Sequence, residues 1–188
     1  MLKKLIVSTV LAASLFAGDY TLDMTHSGVG FSVKHLMVSN VKGKFKAFDG
    51  SFSFDEKTKA VTKLEGIVDV ASIDTDIQKR DDHLRSADFF DAAKFPKMKF
   101  VMTKFINGKK PKIEGKLTIK DITKTIIFDA DIGGAAVDPW GTKKAGFSFN
   151  GVINRKDFGL NWNKTLEAGG FVVGDEIKIS IDLEGNEK

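Results

Sequence analysis

A period of two governs this chain. Val29, Phe31, Val33 and His35 share one face of an extended run, with Ser32 and Lys34 on the other. The alternation recurs in Val41, Gly43, Phe45 and Ala47, set against Lys42, Lys44 and Lys46. Side chains that alternate in this way belong to pleated strands with one buried face. After Ala47 the phase slips by one, so that Phe48, Gly50, Phe52 and Phe54 carry the apolar side, as a bulge would produce. Further apolar rows run through Leu64 to Val70, Met98 to Met102, Ile113 to Ile119, Ile126 to Ile132, Ala145 to Ile153 and Ile177 to Leu183, with a short run from Tyr20 to Met24. The pattern predicts about eight strands.

Turn-forming residues punctuate the rows at Asp55 to Thr58, Asn107-Gly108, Lys120-Asp121, Gly133-Gly134 and Asp138-Pro139-Trp140-Gly141. Connections this short join antiparallel neighbours. Between Asp74 and Lys94 the alternation vanishes, and Ile77, Leu84, Phe89 and Phe90 sit among charged residues. That segment predicts one or two short helices, capped by Asp74 or Thr75 and by Ser86 or Asp88, and ended by Phe95-Pro96.

Strands with a single apolar face must enclose a shared interior, as a closed barrel or a sandwich. A membrane-spanning barrel needs the reverse pattern, and Lys42, Lys44, Lys46, Lys116, Lys178 and Asp182 facing lipid would be very costly. The expected fold is therefore all-β, an antiparallel barrel of about eight strands with one or two inserted helices. An interior of that size is either filled by side chains or holds one small ligand. Rows that combine Phe with Gly, such as Gly43 and Phe45, Gly50 and Phe52, or Phe149 and Gly151, fit both readings. The glycines could bend the strands or leave space.

Residues 1–17 read as a secretory signal: Lys3 and Lys4 precede an apolar stretch from Leu5 to Phe16, and Ala17 is the small residue before the cut. The stretch is too short to span a bilayer and runs into Gly18 and Asp19. One domain over residues 18–188 is expected, periplasmic or secreted, with no stable membrane insertion. The whole chain of 188 residues carries a net charge of +4, which raises the question of a nucleic-acid partner. Without Lys3 and Lys4 there remain 27 basic and 25 acidic side chains, a net of +2, and that reading loses its support. The telling count is 16 Phe beside 1 Tyr and 2 Trp, aromatics without a polar handle and suited to a dry lining.

Several motifs carry a resemblance. They are Phe31-x-Val33-x-His35, Gly43-x-Phe45-x-x-Phe48-x-Gly50, the block from Arg80 to Asp91 (RDDHLRSADFFD) followed by Phe95-Pro96, Asp138-Pro139-Trp140-Gly141, Ala145-Gly146-Phe147 and the run from Arg155 to Leu160. In this order they resemble the YceI-like family over nearly all of residues 18–188, and the Arg80 to Asp91 block is the specific part. The resemblance implies an exported, lipocalin-like barrel that encloses a long amphiphile. The implied ligand is a polyisoprenoid or isoprenoid quinone, with a fatty acid or fatty amide as a close physical substitute. The segment from Asn161 to Gly174 is less typical of the family.

The inward rows supply the candidate lining: Phe31, Val33, Phe45, Phe52, Phe100, Met102, Phe147 and Phe149, each equally readable as plain core. His35 ends its row at the expected rim, as a head-group contact or a satisfied rim histidine. Arg80, His83 and Arg85 either form a polar lid over the head group or pin the inserted helix by pairing. Trp162 is open between ligand contact and structure, and Trp140 reads as a plug or turn anchor. His26, His35 and His83 have no metal-ligand spacing and Cys is absent, so no metal is expected. No nucleophile motif is present, and Asp81 and Asp82 are adjacent on a helix, where they do not face each other. The expected protein is not an enzyme and needs no cofactor beyond a bound lipid. An isomerase or hydrolase acting on such a lipid, and a filled structural barrel, are the alternatives. Edge strands and an apolar lid add a homodimer to the expectations.

Overall fold

The computed structural model describes residues 17–165 and 169–188. The expected leader thus lies outside the described residues, except for Ala17, which opens the first strand opposite Asp55. The strands are β1 (Ala17–Leu22), β2 (Gly28–His35), β3 (Ser39–Phe45), β4 (Phe48–Asp55), β5 (Ala60–Asp69), β6 (Ile73–Asp74), β7 (Lys97–Ile106), β8 (Lys112–Ile119), β9 (Ile122–Val137), β10 (Lys143–Asn154) and β11 (Val173–Glu187). A single α-helix, α1 (Gln78–Arg85), lies between β6 and β7.

Every strand pair is antiparallel. β11 pairs with β2 from Val173 to Asp182 and with β1 from Gly185 to Glu187, so β1 and β2 act as one stave. β3 and β4 form a second stave, paired to β2 and β1 in turn. With β5, β7, β8, β9, β10 and β11 these close a barrel of eight staves. The phase slip seen in the sequence falls at Lys46-Ala47, between β3 and β4. There it becomes a break: Lys46 N donates to Ser72 O at 3.1 Å, and Asp69 N donates to Ala47 O at 2.9 Å.

Two expected turn features are corrected. Gly133-Gly134 does not end a strand: β9 runs through it to Val137, and the pairing with β10 shifts register there instead. Gly134 has φ +102, which lets a bulge take up the extra residue without breaking the pairing. Trp140 is neither plug nor anchor, since it is 86% exposed at the tip of the β9–β10 hairpin. The Asp138 carboxylate holds that turn by accepting from Trp140 N and Thr142 N, both at 2.9 Å.

α1 starts at an Ncap, Ile77, that has no side-chain cap, unlike the expected Asp74 or Thr75. Eight residues cannot hold a helix unaided. Side-chain bonds to the segment just ahead of it help to hold it: buried Asp81 accepts from Thr75 N at 2.9 Å and from Thr75 Oγ1 at 2.5 Å. Leu84 and the following Phe89 and Phe90 then turn toward the barrel's upper opening, packed on Phe45 and its neighbours.

The inward side chains divide into two clusters. At the lower end Tyr20, Phe52, Phe54, Val61, Ile113, Phe128, Phe147 and Phe149 pack together, with Tyr20 stacked on Phe52 at 5.0 Å and Phe52 edge-on to Phe147 at 4.7 Å. At the upper end Phe45, Val70, Ile73, Phe89, Met98, Ile119, Ile153, Phe158 and Leu160 form the second. Several of the Phe and Gly residues in these rows share one explanation, although Gly50 instead meets the backbone of β5. Phe31 lies over Gly43, Phe100 over Gly115 and Phe128 over Gly151, each ring occupying the place of the missing side chain on the next strand, and Phe52 reaches past β1 to lie over Gly185 of β11.

Candidate ligand-binding site

Between the two clusters lies a cavity of about 180 Å³. Val29, Phe31 and Val33 of β2 line it from one wall, and Phe100, Leu117, Phe128 and Phe149 from the opposite strands. Leu84, Phe89 and Phe90 roof it, and Ile177, Ile179 and Ile181 of β11 complete a nearly unbroken apolar surface. At Gly66 on β5 the inward position is open, with a Cβ there meeting only Asp49 O at 3.9 Å, and Asp49, Glu65 and Lys99 stand on that margin. A wider depression on the outer wall, over Gly30, Gly43 and Gly151, is edged by Ser32, Lys42, Asp129, Asn150 and Lys178. Its polar rim makes it a solvent-facing groove rather than a place for an apolar chain.

Of the candidate lining residues, Phe31, Val33, Phe45, Phe100 and Phe149 border the cavity. Phe52, Phe147 and Met102 do not: Phe52 and Phe147 belong to the packed lower cluster, and Met102 packs against it. Their rows point inward as expected, but they sit beneath the cavity floor. His35 ends β2 opposite Val173, on the rim and outside the lining, and its ring makes no hydrogen bond among the described residues.

The charged residues of the inserted segment form bonds that fasten it. Arg80 donates from Nε to Thr75 Oγ1 at 2.7 Å and from Nη2 to Thr75 O at 2.6 Å. Arg85 donates to Ile73 O at 3.2 Å and pairs with Asp82 at 2.7 Å. That pairing, with help from Gln78, holds the Asp82 carboxyl below its ordinary range. His83 pairs with Asp88 at 3.0 Å, and its ring meets Trp162 edge-on at 4.8 Å. Trp162 also contacts Phe89 at 5.1 Å and so ties the segment after Leu160 to the roof instead of lining the cavity.

The residue that the sequence reading passed over is Arg155. It continues the inward row of Phe149, Gly151 and Ile153, and a charge in an inward row was the signal available. Its side chain is 2% exposed and borders the cavity. Nε donates to Gly174 O at 2.9 Å, Nη1 to Leu160 O and to Trp162 O, and Nη2 to Val173 O and to Asp175 Oδ1 at 3.2 Å. Burial pushes its pKa down, against the opposing pull of Asp175. A guanidinium has five N–H donors, and here five acceptors take them. Arg155 therefore clamps the two arms of the rim and has no donor left for a bound molecule.

At the opposite end of the barrel, Asp23 accepts from Lys144 at 2.8 Å and contacts His26 at 3.0 Å, with Glu184 beside them. The Lys144 ammonium bridges Asp23 and Glu184 and offsets one of their two charges, which joins the group into an ion-pair network.

A closed antiparallel barrel of eight staves around one apolar cavity defines the lipocalin-like class of barrels. Residues 20–185 match the model of the YceI-like domain, and the chain belongs to the YceI-like family. A UPF0312 protein of Enterobacter sp. (strain 638) is 39% identical over 193 residues, covering 98% of this chain and 97% of that protein. Protein YceI of Salmonella newport is 38% identical over 193 residues, covering 98% of each. Among solved structures, the Campylobacter jejuni YCEI protein is 36% identical with a TM-score of 0.71, covering 100% of this chain and 99% of that one. Burkholderia cenocepacia BcnA is 26% identical with a TM-score of 0.74, covering 87% and 98%. A polyisoprenoid binding domain from Saccharophagus degradans, 14% identical with a TM-score of 0.66, covers 90% and 98% and shares the fold.

Proposed function

We propose that this protein encloses the apolar chain of a long amphiphile, of the polyisoprenoid, isoprenoid quinone or fatty-chain class, and carries or sequesters it after export. The observation that supports this most is the cavity wall. It is built from Phe, Ile, Leu and Val, and the one buried cation on it, Arg155, has every donor engaged. Such a wall attracts hydrocarbon and offers a polar head group nothing, so the head group lies at the rim. Each methylene that enters contributes about 0.8 kcal/mol, and several together offset the cost of ordering the chain.

The leader-like sequence of residues 1–17 supports a periplasmic or secreted site of action, and the polyisoprenoid named for the Saccharophagus degradans domain agrees with the ligand class. The function is binding rather than turnover. His26, His35 and His83 stand apart, and the first and last contact only surface carboxylates and the Trp162 and Phe89 rings. Organic extraction of the folded protein followed by mass spectrometry tests the reading. One long-chain molecule per protein is expected. A protein that yields none and takes up neither added quinone nor added fatty chains overturns it.

A further inference from the structure

The β2–β3 hairpin ends in a turn that breaks the usual chemistry of such turns. Val38 N donates to His35 O at 3.1 Å, and the two central residues, Leu36 and Met37, both have positive φ, 51° and 63°. Two successive left-handed positions favour Asn and Gly, because bulky side chains resist positive φ. Here they hold large apolar side chains, and these face water. Leu36 is 38%, Met37 60% and Val38 81% exposed. Phe171, 47% exposed, adjoins them, because Leu36 N donates to Val172 O at 2.9 Å and Gly170 lies against Met37.

Charge completes the pattern. From Gly28 to Ala47 the chain carries Lys34, Lys42, Lys44 and Lys46 and no acidic residue. Lys46 pairs with Asp74, on which Lys44 opposite it also acts, whereas Lys34 and Lys42 form no ion pair among the described residues. The tip also adjoins the cavity, since the lining residues Val33 and Val173 lie immediately below it.

We propose that this tip, formed by Leu36, Met37, Val38 and Phe171, docks the barrel's rim on an anionic phospholipid bilayer. The apolar side chains enter the interface and the unpaired lysines of the hairpin face the negative surface. A chain leaving the bilayer would then enter the cavity without crossing bulk water. This rests on the proposed function for its purpose, but docking itself does not require it. The other exposed apolar tip, with Trp140 and Val137, lies at the far end of the barrel and includes the Asp138 carboxylate, which an anionic surface repels.

Sedimentation with vesicles of phosphatidylcholine, alone or mixed with phosphatidylglycerol, tests the docking. The protein is expected to bind the mixed vesicles, more weakly as salt is added. Leu36→Asn combined with Met37→Gly gives the turn its favoured residues, so this variant is expected to fold with a raised Tm and to lose vesicle binding at least tenfold, on the order of the loss of two inserted side chains. Trp140→Ala is expected to bind as before. Absence of binding by the folded wild-type protein, unchanged binding by the tip variant, loss through Trp140→Ala, or a tip-dependent dimer in analytical ultracentrifugation would each overturn the proposal. Uptake of detergent-dispersed quinone, measured on the same proteins, separates the two readings. A protein that docks but takes up no chain retires the carrier function alone.

Discussion

The ring of Phe31 lies over Gly43, its direct partner across the β2–β3 pair, so closely that a Cβ on Gly43 would stand 2.8 Å from Cε1 of the ring and equally near Cγ2 of Thr75. Phe31 thereby leans along the wall instead of across the cavity that it lines. Gly43→Ala is expected to destabilise the protein by about 1–3 kcal/mol, because both the ring and Thr75 must shift. Added to Phe31→Ala it should cost less than it does alone, and a double-mutant cycle in urea unfolding measures that coupling.

The boundary between filled and open interior separates two substitutions of similar size. Phe147 is 4% exposed, between Phe52 and Phe149 in the lower cluster, and Phe147→Trp is expected to cost about 1–3 kcal/mol in denaturant unfolding. Ile179 borders the cavity, so Ile179→Phe has space and should leave Tm nearly unchanged. It displaces about two methylenes of the bound chain, and titration calorimetry should then show affinity lowered about tenfold.

Arg155 joins Leu160 and Trp162 on one arm of the rim to Val173, Gly174 and Asp175 on the other. Arg155→Met leaves those carbonyls without donors and is expected to cost about 3 kcal/mol or more in thermal unfolding. Arg155→Lys should recover little, since an ammonium cannot reproduce the planar fork. In both variants a bound chain should leave faster, read by transfer of a fluorescent fatty acid to acceptor vesicles.

Acid should weaken the lower end of the barrel. The Lys144 hydrogen bond, then that of His26, holds the Asp23 carboxyl well below the usual carboxylate range. At the upper end Asp69 is lowered in the same direction by Lys97, so acid acts there as well. A carboxylate with a depressed folded pKa contributes its full stability above its ordinary pKa and loses it as pH falls through the folded value. Tm should therefore decline between about pH 5 and pH 2, and the decline should be shallower in Asp23→Asn, as calorimetry across that range would show.

Much of the fold was legible in the sequence because period two is a local property. The rows from Ala145 to Ile153 and from Ile177 to Leu183 assign each residue to a face, and β10 and β11 keep those assignments. The Gly133-Gly134 pair misled because glycines mark bulges as readily as turns, and only the pairing with β10 distinguishes them. Ile77 as an uncapped Ncap was not legible either, since bonds to Thr75 and to the β6 backbone hold α1 in place of a local cap.

By itself the sequence determined the inward set, the antiparallel order and the enclosure of an apolar interior, because alternation with short turns leaves strands no other way to bury one face. Which inward side chains fill the barrel and which line a cavity was decided only by tertiary structure. Phe52 and Phe100 are equivalent in pattern, and both settle over glycines of other strands. One nevertheless lies beneath the cavity and the other on its wall. Their fate depends on register and height along the barrel, quantities set by pairing between distant segments and absent from any local window of sequence.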